Sequence, residues 1–156
     1  ILRIVHKVNS GHPGGSLGCT EFLVALYNEI MQIKEGFDMN GENEDLFFLS
    51  NGHISPVLYS VLARKGYFPV EELQTFRLID SRLQGHPTTH EGLPGVRISS
   101  GSLGQGLSVA CKKITDDWRA VFGCVLVKGT DLGQLNIFGE LTFSALVLKF
   151  LSLFRC

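Results

Sequence analysis

Apolar residues recur at helical spacing over Ile1–Val8, which reads as the end of a helix begun upstream. The same spacing returns over Glu21–Ile33, where Phe22, Leu23, Leu26, Ile30 and Ile33 form a stripe, with Thr20 or Gly18 as cap and Glu21 in the first turn. Between them, Asn9–Gly18 holds Gly11, Pro13, Gly14, Gly15 and Gly18 and predicts a loop. Lys34–Asp45 is polar and predicts a surface connection. Leu46–Leu49 is short, continuous and apolar, as expected of a buried strand in a parallel sheet. Ser50–His53 then turns into a helix, with Ser55 as N-cap, Pro56 at its first position, Val57–Ala63 as its body and Gly66 as its stop. Pro69 opens a further short helix over Val70–Leu78. Strand, turn and helix in alternation point to an α/β layered fold. In such sheets ligands collect beyond the carboxyl ends of the strands, where Ser50–His53 lies.

Composition narrows the function classes. The chain has 156 residues, 44% of them hydrophobic and 19% charged, enough for one folded domain with a core. A formal net charge of −1 without a basic run disfavours nucleic acid and anionic membranes as partners. Cys19, Cys111, Cys124 and Cys156 are scattered without a C-x-x-C pair, so reduced thiols and a cytoplasmic setting are expected. Ile1 is not followed by the charged, apolar and small-residue order of a signal peptide. The apolar stretch Leu141–Phe154 is too short for a membrane span and contains Lys149.

Candidate chemistry gathers in glycine-rich segments. Leu83–Gly106 is crowded with Gly and Pro and ends in Gly101-Ser102-Leu103-Gly104-Gln105-Gly106, just before the apolar Leu107–Ala110. A glycine-rich turn opening a helix lets backbone N–H groups approach a phosphate at the positive end of the helix dipole. The order G-x-x-G-x-G is neither the dinucleotide fingerprint nor the nucleotide P-loop. Three histidines sit in stiff surroundings: His12 between Gly11 and Pro13, His53 after Asn51-Gly52, and His86 between Gly85 and Pro87. Rigid loops fix the direction of an imidazole that exchanges protons near neutral pH. His86 and His90 have a spacing that suits zinc on a helix, but Pro87 and Gly92 argue against a helical face there.

Ser10-Gly11-His12-Pro13-Gly14-Gly15-Ser16-Leu17-Gly18, Leu49-Ser50-Asn51-Gly52-His53, Gly85-His86-Pro87 and Ser100–Gly106 together resemble, in order and spacing, the N-terminal thiamine-diphosphate-binding domain of transketolases. The resemblance covers residues 1–110 and is nearest to bacterial forms, including those split into two subunits. It implies a partial three-layer α/β fold with a mostly parallel sheet flanked by helices. The implied activity is transfer of a two-carbon ketol unit from a ketose phosphate to an aldose phosphate. The implied cofactors are thiamine diphosphate and Mg²⁺. Expected partners are sugar phosphates and a pyrimidine-binding domain or C-terminal subunit, in a dimeric parent enzyme. By the same resemblance His12 and His86 are the catalytic histidines, His12 binding substrate and handling protons and His86 contacting and orienting the donor sugar, while His53 lies by the diphosphate and substrate, and Gly101 and Leu103 meet the cofactor through backbone groups. His90 matches no family site position.

Residues 111–156 match nothing in that family. No G-D-G segment follows Gly106, and the nearest phrase, Gly129-Thr130-Asp131 with Asn136, is too compact for the family's metal spacing. Asp131 and Asn136 are therefore only weak metal candidates. Residues 119–127 predict a strand and the apolar end a helix, with no separate domain assigned. The change of character after Ala110 is expected of a reading-frame slip, a gene-prediction artefact or a decayed copy, with an authentic divergent C-terminus as the alternative. Two other readings compete: a related deoxyxylulose-phosphate or dihydroxyacetone synthase, and a non-catalytic remnant.

Overall fold

The computed structural model of the protein describes residues 1–42, 44–102, 105–106, 108–109 and 121–124. Its organising element is strand β1, Leu46–Leu49, in which every residue is buried. Side chains alternate across a strand, and here both faces are covered. Phe47 and Leu49 join the main core with residues from helices α1 (Leu2–Val8), α3 (Thr20–Ala25) and α4 (Ser55–Arg64). Leu46 and Phe48 pack on the other face with Ile98 and Val109. A strand clothed on both sides has no use for polar positions, which is why it reads as an unbroken apolar run. β1 pairs in parallel with β2, Val121–Cys124, with Leu46 opposite Val121 and Leu49 opposite Cys124. The expected strand within 119–127 is thus present in its central part, and the α/β character is borne out.

Helix α4 follows β1 through the 3-10 turn Gly52–Ile54. Pro56 occupies its first turn, where a missing N–H costs nothing. Gly66, at φ +91°, ends it: Gly66 N–H donates to Ala63 O and Tyr67 N–H to Leu62 O, the paired bonds of a Schellman motif. Ser55 differs from its expected role. It is the first helical residue, Ile54 being the N-cap, and its hydroxyl donates to Gly85 O at 2.8 Å instead of capping.

Expectations in three segments need correcting. Asn9–Gly18 is not all loop, because helix α2 spans Pro13–Gly18. Pro13 fixes a helical φ at its start, and a Cβ on Gly15 would come within 2.9 Å of Ile54 Cγ2, so this glycine serves close packing. The helix expected to reach Ile33 ends at Ile30 through a π-helical turn, Leu26–Ile30. Gln32 leaves it to pair with Asp45, whose N–H donates to Gln32 O at 2.8 Å and whose carboxylate accepts from Gln32 N–H at 2.8 Å. Neither Thr20 nor Gly18 is its cap: Cys19 is, while the Thr20 hydroxyl donates back to Ser16 O. Phe22, placed in the apolar stripe, is exposed. The third segment, Val70–Thr75, is 3-10 helix and stops before Leu78.

The polar connection 34–45 is only partly a surface feature. Glu44 and Asp45 are buried, and Glu44 forms an ion pair with Arg97 that is nearly out of reach of solvent. Arg97 also donates to Asp38 O at 3.0 Å and stacks over the Phe37 ring at 4.9 Å. A charge pair so placed fastens this connection to the loop that precedes Gly101.

Candidate functional site

Three short segments meet beyond the carboxyl end of β1. The first is Ser10–His12, which leads into α2 with His12 as its N-cap residue. The second is the 3-10 turn Gly52–Ile54, which leaves the strand directly. The third is the loop 84–87. Between them the rings of His12 and His53 stand edge to face at 5.1 Å, and those of His53 and His86 at 4.7 Å. The three histidines expected to share a site are therefore side by side, with His53 in the middle. His90 lies on a separate 3-10 turn, Thr89–Glu91, where it is exposed and its N–H donates to the Thr88 hydroxyl.

Each ring is held by identifiable contacts. Buried Asn51 accepts the His53 backbone N–H at 3.3 Å and lies 3.1 Å from His53 Nδ1 through the same Oδ1. An amide oxygen accepts only, so the neutral His53 ring carries its proton on Nδ1 and presents the Nε2 lone pair. The His86 loop is tied to α4 twice: Ser55 donates to Gly85 O, and Tyr59 donates to Gln84 O at 2.9 Å. Burial pushes the Tyr59 phenol well above its usual range, so it remains a donor. His86 is held below the ordinary histidine value, first by partial burial and then by His53, Arg77 and His12. Both influences favour the neutral imidazole.

The glycine-rich closing loop presses against this group. A Cβ on Gly52 would fall 2.8 Å from the backbone of Ser100 and Gly101, and one on Gly101, at φ +139°, would fall 2.9 Å from His86 Cδ2. Gly106 abuts Ser50 in the same way, at 2.5 Å from its Cβ. Ser100 N–H donates to Pro87 O, joining this loop to the His86 loop. The hydroxyls of Ser50 and Ser100 are buried with no hydrogen-bond partner among the described residues. Leu103, the other residue expected at the cofactor, lies outside the described residues, as do the metal candidates Asp131 and Asn136. No group of three His, Cys, Asp or Glu side chains among the described residues is placed to hold a metal.

Sequence reasoning missed the supports. Asn51 carries a readable signal, since an Asn two residues before a chain reversal commonly accepts the following N–H. Ser55 and Tyr59 carry none, because their partners are about 25 to 30 residues away. Arg77 was also missed. It adopts φ 60°, a left-handed conformation that costs a non-glycine residue about 1–3 kcal/mol.

Comparison with known proteins places the chain in a family. The family model described as "Transketolase, thiamine diphosphate binding domain" matches residues 1–121. Over 110 residues the chain is 43% identical to Transketolase 2 of Escherichia coli (strain K12), covering 70% of this chain and 16% of that protein. It is 40% identical over 110 residues to one subunit of the apulose-4-phosphate transketolase of Phocaeicola vulgatus, covering 70% of this chain and 38% of that relative. Among solved structures, the transketolase of Leishmania mexicana superposes with a TM-score of 0.63 at 36% identity, over 69% of this chain and 16% of that one. The Campylobacter jejuni transketolase gives 0.62 at 38% identity, over 69% and 16%. The chain spans a small part of the relatives it matches.

Proposed function

The chain belongs to the transketolase family through its thiamine diphosphate-binding domain, and on that premise we propose that it is the diphosphate-binding part of an enzyme that transfers a two-carbon ketol unit from a ketose phosphate to an aldose phosphate. The observation that carries the reading is the contact of the His12, His53 and His86 rings at the carboxyl end of β1. Thiamine diphosphate, when bound, supplies the electron sink that lets a ketose carbon–carbon bond break. The residues present suit that group. Gly52, Gly101 and Gly106 let the closing loop pack directly on Ser50 and His86, and the Ser50 and Ser100 hydroxyls are buried donors without protein partners among the described residues. Gly101 and, by position in the motif, Leu103 would meet the cofactor through backbone groups.

The histidines then divide the work. His53, with Nδ1 turned to Asn51, offers Nε2 toward the diphosphate and substrate. His86, favoured in its neutral form and exposed at the rim, accepts a hydroxyl proton of the donor sugar and orients it. His12, across His53 from it, completes a path along which a proton at the substrate is taken up or returned. Magnesium, the second cofactor expected from the family resemblance, finds no ligand cluster among the described residues, and no step runs through it.

Wider expectations attach to the same reading. The β1–β2 pair belongs to a larger, mostly parallel sheet between helical layers once the domain is complete, with residues 1–110 as its matched part. That the Phocaeicola relative is named as one subunit of its enzyme supports a partner chain carrying the pyrimidine-binding domain, in a dimeric enzyme acting on sugar phosphates in the cytoplasm. No helix among the described residues is long and apolar enough to cross a membrane.

A chimera testing this reading joins residues 1–110 to the remaining sequence of a homologous transketolase. His86→Ala is expected to lower ketol transfer by about 10²–10⁴-fold, the range for a positioned proton-transfer group. His90→Ala is expected to leave the rate near that of the parent. Equal losses at the two positions would remove the assignment of His86.

A further inference from the structure

Arg77 lies outside the ring stack, with its guanidinium between two of the segments that carry the histidines. Its Nη1 donates to the Ser10 hydroxyl at 2.7 Å, two residues before His12. On its other side a Cβ on Gly85 would lie 2.9 Å from Cζ, Nε and Nη2, so the guanidinium is pressed against the backbone next to His86. The same guanidinium lies over the Phe76 ring at 5.5 Å, and the Phe76 Cε1 would be 3.9 Å from a Cβ on Gly11. Its main chain closes the segment behind it, with Arg77 N–H donating to Leu83 O at 2.9 Å. Nε is buried with no partner among the described residues. A bulky residue held at φ 60° persists only where its surroundings determine it strongly.

We infer that Arg77 is a positioning residue: its guanidinium bridges the Ser10–His12 segment and the Gly85–His86 loop and holds His12 and His86 against the two sides of His53. The inference rests on reading the three histidines as one site. A planar fork suits this bridge, since it contacts two loops in one plane and stacks on an aromatic face. An ammonium is a single point and does neither. Gly85 is required on the far side because a side chain there would occupy the place of the guanidinium. The bridge also puts a fixed cation beside His86, which together with His53 and His12 opposes its protonation.

The test uses the whole chain labelled at histidine and read by NMR, with no cofactor present. Wild type should show NOEs between the His12 and His53 rings and between the His53 and His86 rings. Arg77→Gln should lose both while amide dispersion persists, and the His86 titration midpoint should move up because one opposing cation is gone. Arg77→Lys should not restore the ring contacts. Ser10→Ala, a milder change at a half-buried surface position, should weaken the His12–His53 contact and leave His53–His86 in place. Persistence of both contacts in Arg77→Gln, or rescue by lysine, overturns the inference. Should Arg77→Gln fail to fold, an unchanged His12–His53 contact in Ser10→Ala overturns it alone. These readouts report geometry in the free chain, so a failure to bind thiamine diphosphate is a separate result that bears on the proposed function only.

Discussion

His86 is exposed, yet its surroundings give its proton a definite bias. The folded chain holds its imidazole below the ordinary value of 6.5, chiefly through burial of part of the ring and then through His53, Arg77 and His12. Between that lowered value and 6.5 the unfolded chain binds more protons at this position than the folded one. Stability from His86 therefore rises with pH across that window and is lost as pH falls through it. Because the ring is largely solvated the effect is modest. Urea midpoints measured against pH should fall on acidification in wild type, and His86→Gln should flatten part of that slope; parallel curves would show that His86 is not the group responsible. Asn51 gives a second test at this scale. Asn51→Leu removes the acceptor at His53 Nδ1, so the His53 ring nitrogens should lose their single-tautomer pattern in a long-range ¹H–¹⁵N spectrum. Retention of the Nδ1–H form would assign the tautomer to another neighbour. The histidines themselves were legible in the sequence because Gly and Pro beside a His mark a rigid loop. Arg77 was not, because its meaning lies in Ser10 and Gly85, which only the folded chain brings to it.

Elements were legible where one local force dominated. β1 follows from four successive apolar residues, and α4 from a Pro at its start and a Gly just past its end. They were obscured where tertiary contacts overrode composition. Glycines in α2 looked like loop, yet Gly15 is there for Ile54. Glu44 and Asp45 looked like surface, yet an arginine 53 residues on from Glu44 and a glutamine 13 residues before Asp45 bury them. This difference can be measured with substitutions of one kind. Gly18 has open space around its Cβ position, and Ala there should be neutral or stabilising by up to about 1 kcal/mol. Gly101→Ala meets both a positive φ and the His86 ring, and should cost about 1–3 kcal/mol in denaturant unfolding from the strained backbone alone. Similar small effects at both positions would mean that the closing loop yields freely and is not a built cradle. For the buried pair, Arg97→Met strands the Glu44 carboxylate and should destabilise by about 3–5 kcal/mol. A loss below about 1 kcal/mol would place that carboxylate within reach of water in the folded chain.

At the scale of the whole molecule the question is what this chain binds unaided. It offers a diphosphate three imidazoles and two buried hydroxyls, with a formal net charge of −1 for the chain. A neutral imidazole contributes a hydrogen bond but no full charge, and Arg77 is engaged by Ser10 and lies beside the Gly85 backbone. No three-ligand metal cluster occurs among the described residues to neutralise the anion. Divalent cations bound by oxygen ligands are the usual means of doing so for a diphosphate. A pyrimidine ring, moreover, needs a surface that the reading above assigns to a partner. The chain alone should therefore bind thiamine diphosphate weakly, with a dissociation constant no tighter than about 1 mM and a binding free energy near −4 kcal/mol. Adding the C-terminal part of a homologous transketolase should tighten it, and the gain should depend on Mg²⁺. Isothermal calorimetry of the chain with and without Mg²⁺ decides the matter. Micromolar, Mg²⁺-dependent binding by the chain alone would mean that it carries its own metal ligands, and Asp131→Ala and Asn136→Ala would then be the two substitutions to abolish it. Metal-independent micromolar binding would instead credit the histidine cluster and the glycine cradle with nearly the whole interaction, and Gly101→Ala should then be the more damaging change.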